Sequence, residues 1–426
     1  MSINMTSSNL QDCVALHGWW LVLLYLVLAP FKTLYEGPMG VMAIVGLLLM
    51  LLSPRAMLQV PGVRLLLGLG LLIWVPMVLS LPDAVEQGRA ISTALTFSRF
   101  LFAGVFIGLA MSEARARHRL LMVAGGVLAF WAVDATIQLL AGKNLLGNPM
   151  SSGRVTGVYY PNITLGHAIA TMSPILLFWL GRMSATRGTW WMLLSVPLAL
   201  TVFMSGSRVA WMMFALSLLL MAGYWIMIAG HAAWKRVASV VLVAVLLVGG
   251  FLATQPQVQQ RVRDVAGLLS GDEAQIHRAT SLRWEIWKVA AKVFSDHWVN
   301  GIGPRGFRYI FAEYAAPGDP RVNPETHVEV AHPHQLTLEV AVETGSIGLL
   351  GYLAFLIVFM RAVWSAGLER LREAWPWAAA AFISFFPLNA GHAFYGAKWG
   401  CIVWWLTALA AAYLSQPKTV GSVGNK

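Results

Sequence analysis

Charge is scarce in this chain: only 12% of its 426 residues are Asp, Glu, Lys or Arg, and just 19 are acidic. That excludes an ordinary soluble globular domain, because too little polar surface remains to cover one. Cysteine occurs twice, at Cys13 and Cys401, too few thiols for a structural metal site. The topology derived below puts the two on opposite sides of a membrane, so no disulfide is expected. Asp264, Asp272 and Glu273 lack the alternating loop pattern of a calcium site. Gly301-Ile302-Gly303-Pro304-Arg305-Gly306 lacks both the lysine of a P-loop and a βαβ setting, so it reads as a tight turn packing a loop against the rest of the protein. No cofactor and no metal are expected. The N-terminus has neither the basic flank nor the small-residue cleavage site of a secretory signal, so the first apolar span should be retained. There is no internal repeat.

What is present is apolar. Hydrophobic residues make up 58% of the chain, and runs such as Val63–Leu81, Val237–Ala253 and Ser346–Met360 can cross a hydrocarbon core of about 30 Å. The sequence predicts an all-α integral membrane protein of about twelve spans. They fall near 15–32, 38–53, 63–81, 94–111, 120–141, 161–181, 189–205, 208–229, 237–254, 346–367, 375–395 and 398–415. Trp19-Trp20, Trp190-Trp191 and Trp404-Trp405 sit near span ends, as interfacial anchors do. One set of loops carries Arg55, Arg64, Arg115, Arg117, Arg119, Arg182, Arg187, Lys235, Arg236, Arg370 and Arg372, which assigns it, with both termini, to the cytoplasm. The net charge of +11 is largely this bias, so no nucleic-acid partner is expected.

The other face receives the loops 33–37, 82–93, 142–160, 205–207 and 393–397 and one long hydrophilic interval. Three regions follow: helices 1–9 over 1–254, a large, partly helical outer loop over 255–345, and helices 10–12 with a cytoplasmic tail over 346–426.

That outer face collects the chemically interesting side chains. Arg208 follows Ser205-Gly206-Ser207 at a span start, and Arg283 lies in the amphipathic, aromatic stretch Ser281–Trp287. Arg154 precedes Val155-Thr156-Gly157, while His392, Tyr395 and Lys398 frame the last outer turn. His334 closes the long loop, with Gln335 beside it. A guanidinium fork donates two parallel hydrogen bonds to a diphosphate and stays charged at any working pH. An imidazole with an ordinary pKa near 6.5 can take a proton from a sugar hydroxyl. Each residue has a plainer reading. An arginine at a span end can be a snorkelling anchor, and Arg154 stays closest to that. His297, His327 and His332 read as loop histidines. Asp134 and Gln138, one turn apart inside a span, either line a polar cavity or satisfy each other's helices.

His334-Gln335, nine further residues and Gly345-Ser346-Ile347-Gly348 resemble the signature of bacterial O-antigen ligases. Ser207-Arg208, Arg283–Trp287, Gly301–Pro304 before a Phe, and Arg154–Gly157 leading to Pro161-Asn162 resemble the wider ligase and polymerase superfamily. So does the layout of twelve spans with one outer loop between the ninth and tenth. Two positions depart from the pattern: Gln335 stands where Asn is frequent, and Trp298 follows His297 where Pro is common.

The resemblance implies a metal-independent glycosyltransferase of GT-C type in a Gram-negative inner membrane, with its site facing the periplasm. It would move an O-antigen glycan from undecaprenyl diphosphate to the lipid A–core oligosaccharide. His334 would be the general base, and Arg208 and Arg283 would hold the donor diphosphate. Arg154, Gln335, Arg305, His392, Tyr395 and Lys398 are secondary candidates. An O-antigen polymerase or a protein O-oligosaccharyltransferase of the same superfamily is the near alternative. A transporter is the distant one, and it predicts charged groups or broken helices at mid-bilayer.

Overall fold

The computed structural model describes residues 7–229, 249–250, 253–256, 259–260, 263, 283–319, 321–322 and 330–417. The ninth expected span lies largely outside them, as do Lys235, Arg236, Asp264, Asp272, Glu273, Ser281, Leu282 and His327. Among the described residues there is no strand, only isolated bridges at Lys143–Pro149 and Ser151–Arg154.

The helices follow the apolar runs. α1 (Ser7–His17) and α2 (Trp19–Leu28) form a pair bent by 51°. Then come α3 (Glu36–Leu52), the short α4 (Pro54–Met57), α5 (Val63–Leu79), α6 (Gln87–Ala110), α7 (Ala114–Ala141) and α8 (Leu165–Arg187). α9 (Ser195–Met204) follows a tight helical turn, and α10 (Arg208–Tyr224) starts at the expected polar break. The long loop supplies α11 (Arg283–Asp296) and α12 (Phe307–Tyr314). α13 (Leu336–Ser384) and α14 (Ala397–Leu414) close the chain. Among the described residues six helices are long and apolar enough to cross a membrane, seven if the bent pair counts as one span. The shorter apolar helices Glu36–Leu52, Val63–Leu79 and Thr189–Met204 lie beside them.

Several expected boundaries move. α6 begins about two turns before residue 94 and α7 begins at Ala114, so Arg115, Arg117 and Arg119 sit on helix rather than in a loop. Hydrophobicity marks only the part of a helix that apolar surroundings require, and nothing in these polar ends breaks the backbone ladder. The expected span 375–395 is displaced toward the N-terminus. Its helix starts just past Gly367 and ends at Ser384, and 385–396 is an irregular strip. Trp404 and Trp405 are not interfacial. Both are buried, with Trp404 edge-on to Phe97 and the Trp405 indole donating to the Val22 carbonyl at 3.1 Å.

α13 runs for 49 residues, too long for one crossing, and two glycines break it. Gly345 (φ 64°) and Gly367 (φ 71°) take left-handed backbone conformations open to glycine at no steric cost. Between them lie about 21 residues, roughly 31 Å of helix at 1.5 Å per residue. At Gly345 the break exposes the next N–H groups, and the turn after α11 receives them: Ser346 N–H donates to the Trp298 carbonyl (2.7 Å) and Ile347 N–H to Val299 (3.3 Å). A Cβ on Gly345 would collide with the Val299 carbonyl, and one on Gly348 with the Thr344 side chain. The glycines of the His334 motif therefore dock the loop segment onto the bundle.

That segment has its own core. Ile286, Val289, Ala290 and Val293 recur at helical spacing on α11 and pack with Ile302, Phe307, Ile310 and Phe311, closed by Val330 and Val342. The Gly301–Gly306 turn packs against the start of α13 and the loop before α6. Ile302 N–H donates to the Val342 carbonyl and Val85 N–H to the Ile302 carbonyl, both at 3.0 Å. The main core is shared by the remaining helices, with α13 against α14, α5, α8 and α10, and α3 against α6. Both cysteines are free.

Gly345→Ala should lower the thermal midpoint of the detergent-solubilised protein well below that of Gly367→Ala. Both positions carry positive φ, but nothing lies within 4 Å of a Cβ at Gly367. Equal midpoints would mean that the contact with Val299 does not seat the loop.

Candidate active site

The site is built where the irregular strip 385–396 crosses the start of α13. Gln335 caps α13: its carboxamide oxygen accepts from Leu338 N–H, and its amide donates to the Pro387 carbonyl at 2.8 Å. Thr337 donates to the same carbonyl (2.9 Å) and Leu336 N–H to Asn389 O (2.8 Å). Asn389 in turn ties Ser384 O to Gly391 N–H. Two carboxylates one turn apart on α13, both fully buried, hold the remaining segments. Glu339 accepts from Phe394 N–H (2.9 Å) and Tyr395 N–H (3.1 Å), and Glu343 accepts from Arg305 N–H (2.6 Å).

His334 sits immediately before this cap in the left-handed region (φ 53°). Such a backbone for a non-glycine residue costs on the order of 1 kcal/mol or more and persists where surroundings over-determine it. Its N–H donates to His332 Nδ1 at 3.1 Å, with the two rings 4.0 Å apart. His332 Nδ1 also lies 3.8 Å from Glu339. Burial, then His334 and Arg305, push the His332 pKa far down. It is thus a neutral acceptor, and the approach to Glu339 is not an ion pair. Burial first, then the Arg283 guanidinium, hold the His334 imidazole at about 4. Its Nδ1 is buried with no hydrogen-bond partner among the described residues.

Arg283 and Trp287 lie one turn apart on α11, both half-buried beside its core face. Arg283 Nη1 donates to the Ala390 carbonyl (2.8 Å), and the Trp287 indole donates to the Pro333 carbonyl (3.1 Å), beside His334. Burial and the neighbouring Arg208 depress the Arg283 pKa. Arg208 opens α10, whose cap is Ser207: its hydroxyl accepts from Ala210 N–H (3.3 Å) and lies 3.0 Å from His167 Nε2. His167 meets His392 edge-on at 4.7 Å and is within electrostatic reach of Arg283 and Arg154. The structure thus brings His334, Arg283, Arg208, His392 and Arg154 to one end of the bundle.

The other candidates are distributed around that cluster. Arg154 is carried on a turn that α7 organises. Gln138 accepts from Thr156 N–H and Gly157 N–H (both 2.8 Å) and donates to the Pro149 carbonyl, and Asp134 accepts from Leu145 N–H (2.9 Å). These two polar residues pin the α7–α8 loop. Lys398 faces Thr164 and the Tyr159 ring, in a cavity of about 210 Å³ also lined by His392, Gly396 and Trp399. Tyr395 points away, its hydroxyl on Thr344 (3.1 Å). Arg305, also at positive φ, faces the Glu339–Glu343 side.

Sequence reading missed His167, Glu339 and Glu343. The carboxylates carry a signal, two acids four residues apart in an otherwise apolar helix start, where an unpaired charge would be costly. His167 carries none, because its partner is 40 residues away.

Fold and site together define a polytopic helical membrane protein with a cation–imidazole cluster at one end of the bundle. Residues 193–353 match the family model Wzy_C, O-antigen ligase. The matched segment is less than half of the chain, and over it the chain is similar to that family. It contains Arg208, Arg283, Arg305, His334 and Gln335, whereas Arg154, His392, Tyr395 and Lys398 lie outside it. No curated protein matches the chain.

Glu339→Ala should lower the thermal midpoint more than Glu339→Gln. Alanine strands two buried N–H groups at about 1–3 kcal/mol each, and glutamine keeps an acceptor. A Glu339→Ala protein as stable as wild type would show that the carboxylate does not hold the strip.

Proposed function

We propose that this protein is an O-antigen ligase of GT-C type in a Gram-negative inner membrane. In this reading it has twelve spans, both termini in the cytoplasm and the His334 face in the periplasm. Its donor is O-antigen glycan on undecaprenyl diphosphate, and its acceptor is a sugar hydroxyl of lipid A–core. The observation that carries the reading is the His334 imidazole, its buried Nδ1 without a hydrogen-bond partner among the described residues, beside the Arg283 and Arg208 guanidiniums. That pairs a base with a charge sink.

The acceptor hydroxyl gives its proton to His334 as its oxygen attacks the anomeric carbon. The bond from that carbon to the diphosphate breaks on the opposite side, inverting the centre. Undecaprenyl diphosphate leaves with the bonding pair, and Arg208 and Arg283 stabilise the charge that develops on it. Arg154 adds positive potential from the α7–α8 loop. No step calls for a metal ion. The acceptor is assigned to core lipid rather than to a growing glycan because the α7–α8 loop is short and pinned by Asp134 and Gln138. That leaves 255–345 as the one large outer loop, whereas polymerases usually carry two.

His334→Ala should lower transfer from purified donor to lipid A–core by ~10²–10⁴ while the protein still inserts and folds. Arg208→Ala and Arg283→Ala should each cost ~10²–10³. Activity should survive a chelator. Wild-type transfer by His334→Ala removes the base from the mechanism. Preference for a peptide or for a second donor glycan over core lipid moves the protein to the neighbouring activities.

The pH dependence has a definite sign. A base protonating at about 4 rather than about 6.5 stays active well below neutrality, so the acid limb of kcat/KM should fall below about pH 5. Between those two values the unfolded chain binds the proton and the folded one does not, so stability also falls as pH drops through that window. Arg283→Gln should move the limb upward, though not fully to about 6.5, because burial is the larger cause. A limb unmoved by Arg283→Gln contradicts the arrangement.

A further inference from the structure

A second polar groove lies on the other side of the strip, and the transfer chemistry leaves it unused. α6 starts at the site end of the bundle, because the loop before it is docked on the Gly301 turn. Val85 N–H reaches the Ile302 carbonyl (3.0 Å), and the Asn300 amide donates to Asp83 (2.6 Å). Down one face of α6 run Arg89, Ser92, Thr93, Thr96 and Arg99. Phe394, Tyr395 and Ala397 form the opposite wall of a cavity of about 130 Å³. From Arg89 to Arg99 the helix rises about 15 Å, so the stripe runs from the polar start of α6 into the first turns of its apolar part. Arg99 lies within that apolar stretch, where a guanidinium is costly against acyl chains and marks a functional site by default.

The cations here are incompletely neutralised. Arg99 lies 3.8 Å from Glu36 at the start of α3 and 3.7 Å from the Cys401 sulfur. Its Nε is buried without a hydrogen-bond partner among the described residues. At the mouth, Arg89 is exposed and forms no ion pair among the described residues. Arg308 adds positive charge from the loop segment, its Nε buried with no hydrogen-bond partner among the described residues. Burial, Arg305 and Arg89 together lower the Arg308 pKa. The Tyr395 wall is pinned by Glu339, so the groove is already formed.

We propose that this groove is an anion subsite for the phosphate-bearing head group of a membrane glycolipid. A soluble anion would use only the mouth, whereas an amphiphile matches a polar stripe that continues into the apolar layer. Which lipid binds rests on the proposed function. The donor diphosphate belongs to Arg208 and Arg283 on the α8–α10 side, so this groove falls to the acceptor, whose sugar approaches His334 from the α6 side.

The test reads binding without turnover, using the full chain in nanodiscs of neutral lipid. Four probes are titrated: lipid A–core, the same lipid after phosphatase treatment, phosphatidylglycerol and undecaprenyl diphosphate. Arg89→Gln removes the charge at the mouth and Thr96→Leu fills the groove, both at exposed positions that leave folding intact. Each should weaken lipid A–core binding by about tenfold and leave undecaprenyl diphosphate unchanged. Dephosphorylated lipid should bind wild type as weakly as lipid A–core binds the variants. Undiminished lipid A–core binding by both variants, an equal loss for undecaprenyl diphosphate, or phosphatidylglycerol binding as tightly as lipid A–core overturns the assignment. Absence of transfer by a wild type that shows the expected binding pattern would count against the proposed function and not against the groove.

Discussion

Two carboxylates buried at the start of α13 hold the site together. Glu339 takes the backbone N–H groups of Phe394 and Tyr395, and Glu343 takes that of Arg305. One turn of helix thereby joins the strip after α13, the turn after α11, and His334, which lies just before the cap. A carboxyl group suits the task because its two oxygens can accept from more than one backbone N–H at once. They also demand partners, since either carboxylate left alone at zero exposure would be a large liability. Three loops that carry no regular structure of their own are fixed to about the precision of a helix.

The same economy explains the motif glycines. Gly345 turns the chain where α13 passes from the loop segment into the bundle, and the N–H groups released there are taken up by Trp298 and Val299. A tryptophan at 298 serves as well as another residue, because its backbone carbonyl and not its side chain makes the bond. The indole is largely exposed. His334-Gln335-x9-Gly-x-x-Gly is then a length of helix between two demands: an imidazole presented at one end and a break at the other. A residue inserted between them would rotate the cap about 100° against the seat.

Much of this was legible in the sequence, but unevenly. The apolar runs located the long apolar helices such as α3, α5, α8, α10 and α14, because burying such segments anywhere but in an apolar phase is prohibitively costly. Helix ends were less legible at Ala114 and Gln87, where charged residues continue a helix that needs no apolar environment to stay hydrogen-bonded. The strip 385–396 was invisible because Phe385, Phe386 and Leu388 read as membrane-spanning hydrophobicity. Its irregular backbone is satisfied by side chains from elsewhere, including the Asn389 amide and Glu339. The Trp404-Trp405 pair was read as an interfacial anchor, yet an indole whose N–H finds a carbonyl packs equally well in the core. At the site, the arginines and His334 could be singled out by residue type and face. His167 could not, since nothing local distinguishes a histidine that will meet Ser207 across 40 residues.

The electrostatics of the cluster bear on how a base this acidic could work. His334 is held neutral first by burial and second by Arg283, and Arg283 is itself destabilised by burial and by Arg208. Like charges gathered in a half-buried pocket repel one another, and a diphosphate is the ligand that relieves all of them at once. On the proposed reading, donor binding cancels the second cause of the low imidazole pKa and leaves the first. The base therefore strengthens only when the leaving group is seated. Before that, a water or hydroxyl beside His334 meets a weak acceptor. Afterwards the negative diphosphate lies close enough to favour the imidazolium that proton transfer creates. The arginines act twice, on the departing charge and on the basicity of the group that starts the reaction. This coupling needs no moving part, only the fixed distances that Glu339, Gln335 and Gly345 maintain.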